Sequence, residues 1–237
     1  MFKDFQRREL ENGGHVLPYR FYEPPNLEPG KTYPLVLLMH GAGERGTDNR
    51  HQLMNFEGIA FWKKYPCFVL APQCPLHEPG RPHEHCVWVA TNFGGPSHTV
   101  KATPTWPMEM TVELLEQSIS EYPIDPNRIY LTGLSMGGFA VWELLRRETN
   151  KFAAAIPACG GADLEGADKL VNFPLWVFHG DADQIVLTQR SRDMVAAIKA
   201  KGGHPKYTEY PGLGHDIYKP TYANPEVWDW LFVQRKQ

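Results

Sequence analysis

Residues 129–138 read Ile-Tyr-Leu-Thr-Gly-Leu-Ser-Met-Gly-Gly, and Gly133 to Gly137 spell G-x-S-x-G around Ser135. Strand-like residues precede the motif and a helix-like stretch follows, the context in which a serine becomes a nucleophile. A serine on so tight a turn has strained backbone angles, so its neighbours must be small for the chain to pass. The turn lifts the hydroxyl out of the backbone, and the following helix start offers positive partial charge. With 5 Ser and 21 Gly in 237 residues, random order yields roughly 0.04 such motifs, so the spacing carries information.

A serine hydroxyl needs an oriented base. Three histidines follow it: His179, His204 and His215. His204 precedes the apparent strand Lys206–Tyr210, at the wrong end of a parallel sheet. His179 closes a strand and reads as a structural hydrogen-bonder. His215 follows the last strand, where α/β sheets place their chemistry, and is the expected base. The base in turn needs a carboxylate to hold its tautomer. The loop after Leu175–His179 offers Asp183, the preferred acid, with Asp181 as the alternative; Asp216 adjoins the base awkwardly. Tetrahedral intermediates require donors placed in advance. The Met136 N–H supplies one, and Ala42, in the loop His40-Gly-Ala-Gly-Glu-Arg-Gly46, is expected to supply the second. That loop lacks a Walker lysine, so phosphate cradling is a weak rival.

These residues need a scaffold that delivers three loops to one place. Near-continuous apolar runs at Pro34–His40, Cys67–Pro72, Arg128–Gly133, Phe152–Cys159 and Leu175–His179 suit strands covered on both faces. His15–Tyr22 alternates and reads as an earlier strand exposed on one side. Helical spacing appears at Thr111–Glu121, Phe139–Arg147, Ser191–Lys201 and Glu226–Arg235. The alternation predicts an α/β fold, a mostly parallel central sheet flanked by helices on both faces, in a single domain over residues 1–237. Residues 76–107, rich in Pro, Gly and His, break the rhythm and are expected to form a cap over the substrate site, with a packed surface excursion as the alternative. Trp88 and Trp106 within it, and Glu44 beside the oxyanion loop, are the expected substrate contacts; Glu44 could instead pair with Arg45.

Composition narrows the partners. The net charge of −3 offers no footprint for nucleic acid or an anionic membrane. The longest apolar run has five residues, Leu35–Met39, against about 20 for a bilayer span. The charged N-terminus has no signal-peptide core, so a cytoplasmic location is expected. Four cysteines without CxxC point to a reducing compartment, with a Cys74–Cys86 bridge as the alternative. His83-Glu-His-Cys86 invites a zinc reading, but no second ligand pair is evident, so no metal and no cofactor are expected.

The segments HGAGERGTDN, CFVLAPQCP, RIYLTGLSMGGFAVWEL and VFHGDADQIV resemble the α/β-hydrolase superfamily. Within it they are similar to the single-domain carboxylesterase/phospholipase-like branch, whose relatives include predicted peptidases and polyhydroxyalkanoate-depolymerase-like esterases. The order Ser135, Asp183, His215 is the one that superfamily uses. The resemblance implies an oxyanion hole at Ala42 and Met136, and a cofactor-free serine hydrolase acting on a carboxylic ester; its motifs do not specify the substrate, and a small-molecule ester with a short acyl group is the expectation. Peptide or amide hydrolysis and acyl transfer are open to the same triad. A non-catalytic binding protein is the reading from a different class.

Overall fold

A computed structural model describes residues 2–56 and 59–236. In chain order the elements are β1 (Gln6–Asn12), β2 (His15–Tyr22), β3 (Tyr33–Met39), α1 (Phe61–Lys64), β4 (Phe68–Pro72), β5 (His77–Glu78), β6 (Arg81–His85), α2 (Trp106–Glu121), β7 (Ile124–Leu134), α3 (Met136–Glu148), β8 (Ala154–Ala158), β9 (Trp176–Gly180), α4 (Gln189–Ala200), β10 (Lys206–Tyr210), α5 (Tyr218–Tyr222) and α6 (Pro225–Phe232). Short 3-10 turns at Ala42–Glu44, His51–Phe56 and Leu164–Leu170 fill loops.

Eight strands form one sheet in the order β1-β2-β4-β3-β7-β8-β9-β10. β1 pairs antiparallel with β2 and β2 antiparallel with β4, while β3, β4, β7, β8, β9 and β10 run parallel. All seven residues of β3 are buried. Its side chains alternate faces, Leu35, Leu37 and Met39 packing with α2, α3 and α4, and Val36 and Leu38 with α1, α5 and α6. Continuous apolarity thus marks a strand with a helical layer on each side, as expected. The edges differ: β1 carries Arg7, Arg8, Glu9 and Glu11, and β10 carries Lys206 and Glu209. Among the described residues no helix is long and apolar enough to cross a membrane.

Residues 76–107 begin as the β5–β6 hairpin and continue irregularly to α2. The run is fastened along its length: Phe93 meets Phe139 edge-on, Arg190 donates to the carbonyl of Gly95, the Val100 N–H donates to Asp163, and Arg147 donates to the carbonyls of Lys101 and Ala102. α2 starts five residues before the expected Thr111, because Pro107 is well placed in a helix's first turn. All four cysteines are free and buried, Cys74 and Cys86 included.

Candidate active site

Ser135 sits between β7 and α3 with φ 57° and ψ −121°, a conformation costly for any residue with a Cβ. The close approach of three strands imposes it. A Cβ on Gly137 would lie 2.0 Å from the Met39 carbonyl oxygen, and one on Gly133 would lie 2.5 Å from that of Gly137. Only glycine lets α3 start against the end of β3. The Ser135 N–H donates to Ala158 at 2.9 Å, tying the turn to β8.

The loops after β9 and β10 meet this turn. His215 Nε2 lies 2.8 Å from Ser135 Oγ, and His215 Nδ1 lies 2.7 Å from Asp183 Oδ2. Asp183 Oδ1 accepts the N–H groups of Ile185 at 2.8 Å and Val186 at 3.0 Å. Burial pushes this carboxyl up, but the donors His179 and His215 and the two backbone N–H groups outweigh it, holding Asp183 well below the usual carboxylate range. Asp181, the alternative acid, instead accepts the Gly212 N–H at 2.7 Å and shapes a turn. His204 is exposed. The Ala182 N–H donates to Leu213 at 3.0 Å, so the acid and base loops are clasped backbone to backbone.

His179 does more than its place at a strand end suggests. It is fully buried, with Nδ1 2.7 Å from Ser191 Oγ, and Nε2 3.0 Å from the Val186 carbonyl and 3.2 Å from Asp183 Oδ2. Two acceptors around Nε2 require a proton there, so Asp183 takes donors from two histidines. The four-residue spacing of His179 and Asp183 was the available signal.

The loop after β3, which holds the expected donor Ala42, is braced by His40, fully buried and pushed down to about 4, chiefly by burial. Neutral, it accepts the Cys74 N–H at Nε2 (2.9 Å), so its Nδ1 carries the proton and donates to the Gly41 carbonyl at 2.6 Å. The Gly41 C=O and the Ala42 N–H share one planar trans peptide and point opposite ways. Fixing the carbonyl on His40 therefore fixes the direction of the Ala42 N–H. Ala42 opens a 3-10 turn and Met136 opens α3, so both N–H groups belong to helix starts that lack intrahelical acceptors.

Of the three expected substrate contacts, one reaches the site. Glu44 Oε2 would be 2.9 Å from a Cβ on Gly41, a point itself 3.5 Å from Ser135 Cβ. Burial raises the Glu44 carboxyl. Glu44 is not paired with Arg45, which donates to the carbonyls of Ala42 (2.9 Å) and Cys86 (3.1 Å). Trp88 is completely buried and donates its Nε1–H to the His40 carbonyl at 3.1 Å, so it supports the loop from beneath instead of touching a ligand. Trp106 stacks on His15 and donates to Glu78 at 2.7 Å, engaged with the β5–β6 hairpin and β2 instead of the triad. Sequence reasoning passed over Ile185 and Leu213, exposed apolar residues on the loops that carry Asp183 and His215; their place two residues from Asp183 and from His215 was the signal. Among the described residues, the metal-ligating atoms that converge are those of Cys159, His179 and Asp183, not those of the His83–Cys86 stretch. Asp183 there is already engaged with His215.

Known proteins resemble this chain to different degrees. A crystal structure of a thermostable esterase superposes with a TM-score of 0.87 at 36% identity, covering 99% of this chain and 64% of that one. A bifunctional acetylxylan esterase/xylanase of Neocallimastix patriciarum is 29% identical over 170 residues, 71% of this chain and 22% of that enzyme. A probable carboxylesterase of Oryza sativa subsp. japonica is 25% identical over 210 residues, 81% of this chain and 75% of that one. The chain thus spans about a fifth of the fungal enzyme and under two thirds of the thermostable esterase. Residues 98–226, more than half of the chain and the stretch that contains Ser135, Asp183 and His215, match the dienelactone hydrolase family, and the protein belongs to that family of α/β-hydrolases.

Proposed function

We propose that the protein hydrolyses carboxylic esters through an acyl-enzyme intermediate, with Ser135 as nucleophile, His215 as general base and acid, and Asp183 as its orienting carboxylate. The observation that carries this reading is the unbroken Ser135–His215–Asp183 hydrogen-bond chain on a strained turn. His215 Nε2 takes the Ser135 proton as Oγ attacks the acyl carbon, and the imidazolium is stabilised by Asp183. The Met136 and Ala42 N–H groups receive the developing oxyanion. His215 then passes the proton to the leaving alcohol, and water repeats the sequence to release the acid.

The substrate class follows from the rim. Ile185 and Leu213 are exposed apolar residues on the loops that carry Asp183 and His215 and are available to an acyl group, and Glu44 adds a polar group near Ser135. This combination suits a short acyl group on a small ester. The names of the relatives, esterase, carboxylesterase and acetylxylan esterase, agree with ester hydrolysis. The test is a p-nitrophenyl ester series from acetate to palmitate on wild type and Ser135→Ala. The expected result is an optimum at short chains and a loss of about 10⁴-fold or more in the variant. Undiminished turnover in Ser135→Ala overturns the nucleophile; a long-chain optimum overturns the short-acyl preference.

A further inference from the structure

Apart from the triad, a cavity of about 680 Å³ opens where β1 and β2 meet the His51–Phe56 turn. Its lining includes Lys3, Arg7, Arg20, Arg50 and His51, with Phe5 as an apolar wall. Arg7 and Arg20 are direct cross-strand partners in the β1–β2 ladder. Like charges placed opposite each other across a ladder destabilise it.

Arg20 is the fixed point of the cluster. It is only 8% exposed, and it donates Nε–H to the Asn49 carbonyl at 2.6 Å and an Nη1–H to the Phe5 carbonyl at 2.7 Å. Among the described residues, its Nη2 makes no hydrogen bond. Burial, together with the charges of Arg7 and Arg50, pulls this guanidinium below its ordinary value, with Asp48 acting against them. Asp48 is otherwise engaged: it accepts the Gln73 amide and the N–H groups of Arg50 and His51, and it faces the His51 ring. Among the described residues, no carboxylate lies within ion-pair distance of Lys3, Arg7, Arg20 or Arg50. Lys3, Arg7 and Arg50 are exposed and Arg20 is buried; four cations gathered at one hollow repel one another, and a multiply charged anion offsets that repulsion. Guanidinium groups present paired donors that match the oxygens of a phosphate.

We propose that this hollow is a binding site for a phosphate group, separate from the esterase site. The group comes either as the free ion or on a small organic phosphate whose apolar part rests on Phe5. The experiment is thermal unfolding of the whole chain with increasing inorganic phosphate, against sodium chloride at equal ionic strength. The expected result is a saturable rise in Tm beyond that with chloride, with the apparent affinity reduced about fivefold or more in each of Arg7→Gln and Arg50→Gln. Without phosphate, Arg7→Gln is expected to melt no lower than wild type, because a repulsive neighbour has gone. A rise no larger than chloride gives, or one equal in wild type and both variants, overturns the site. Phenyl phosphate separates the sources: tighter binding than inorganic phosphate identifies an organic ligand, and equal binding identifies the ion alone. Ester turnover plays no part in the readout, so failure here leaves the esterase reading untouched.

Discussion

At the scale of single residues, the hydrogen-bonded chain of Ser135, His215 and Asp183 was legible because each member announces itself locally: a serine between glycines, an aspartate and a histidine each just past a strand. The support beneath it was not, because it depends on contacts between segments. Trp88 looked like a ligand-facing aromatic until its burial showed it holding the His40 carbonyl. His179 is the more consequential case. Its Nε2–H is shared between the Val186 carbonyl and Asp183, and so withdraws charge from the carboxylate that faces His215. His179→Phe, which keeps a ring but has no donor, leaves Asp183 more strongly basic toward His215. The acid limb of the kcat/KM profile is therefore expected to move to higher pH by roughly half a unit, with a several-fold loss at the plateau. A variant that loses activity with an unmoved profile would show that His179 matters only for packing.

At the scale of elements, strands covered on both faces were easy to place, since continuous apolarity leaves few alternatives. β1 was missed because its alternation is carried by arginine and glutamate, with Leu10 as the sole aliphatic residue. α1 and α5 are too short to show a helical period. The β5–β6 hairpin lies in a run of Pro, His and Gly with no strand composition. The segment after it was expected to cap the site, and its fastenings give that expectation a handle. Arg190, nearly fully buried, reaches the Gly95 carbonyl and the His98 ring and lies over the face of Phe139 in the first turn of α3. Arg190→Met leaves the Gly95 carbonyl without its donor, at a cost of about 2 kcal/mol. Amides of residues 93–98 are expected to exchange faster, and KM for small esters to rise more than kcat falls. Unchanged exchange in that segment would mean that Phe93 and the Asp163 contact suffice to hold it.

At the scale of the molecule, proton binding and folding are linked through residues that never touch a substrate. His40 is pushed down to about 4 by burial, and His98 to about 4 by burial and by Arg190, while both protonate near 6.5 in an unfolded chain. The stability they protect is fully present above about pH 6.5 and declines as the pH falls toward 4, because the unfolded chain binds the protons that the fold refuses. Asp183 adds a second window: its contribution is present above the unfolded carboxylate value near 3.9 and is lost as the pH drops further. Urea midpoints are expected to fall from pH 7 to pH 4, with a slope of about 1.4 kcal/mol per pH unit from His40 and less from the partly exposed His98. His98→Gln should flatten the upper part of that curve; an unchanged curve would place the proton uptake elsewhere.

The two rims of the sheet bear on how such a chain behaves in company. Unsatisfied strand edges are templates on which another chain can add itself, one molecule after the next. Here β1 lines its rim with Arg7, Glu9 and Glu11, all exposed, and on β10 the exposed Lys206 lies over Trp176 while Glu209 is held by Arg192. A neighbour docking edge-on must strip water from these charges before it gains a single backbone bond. The cost of dehydrating these charges therefore guards both edges of the eight-stranded sheet against edge-on growth into a fibre.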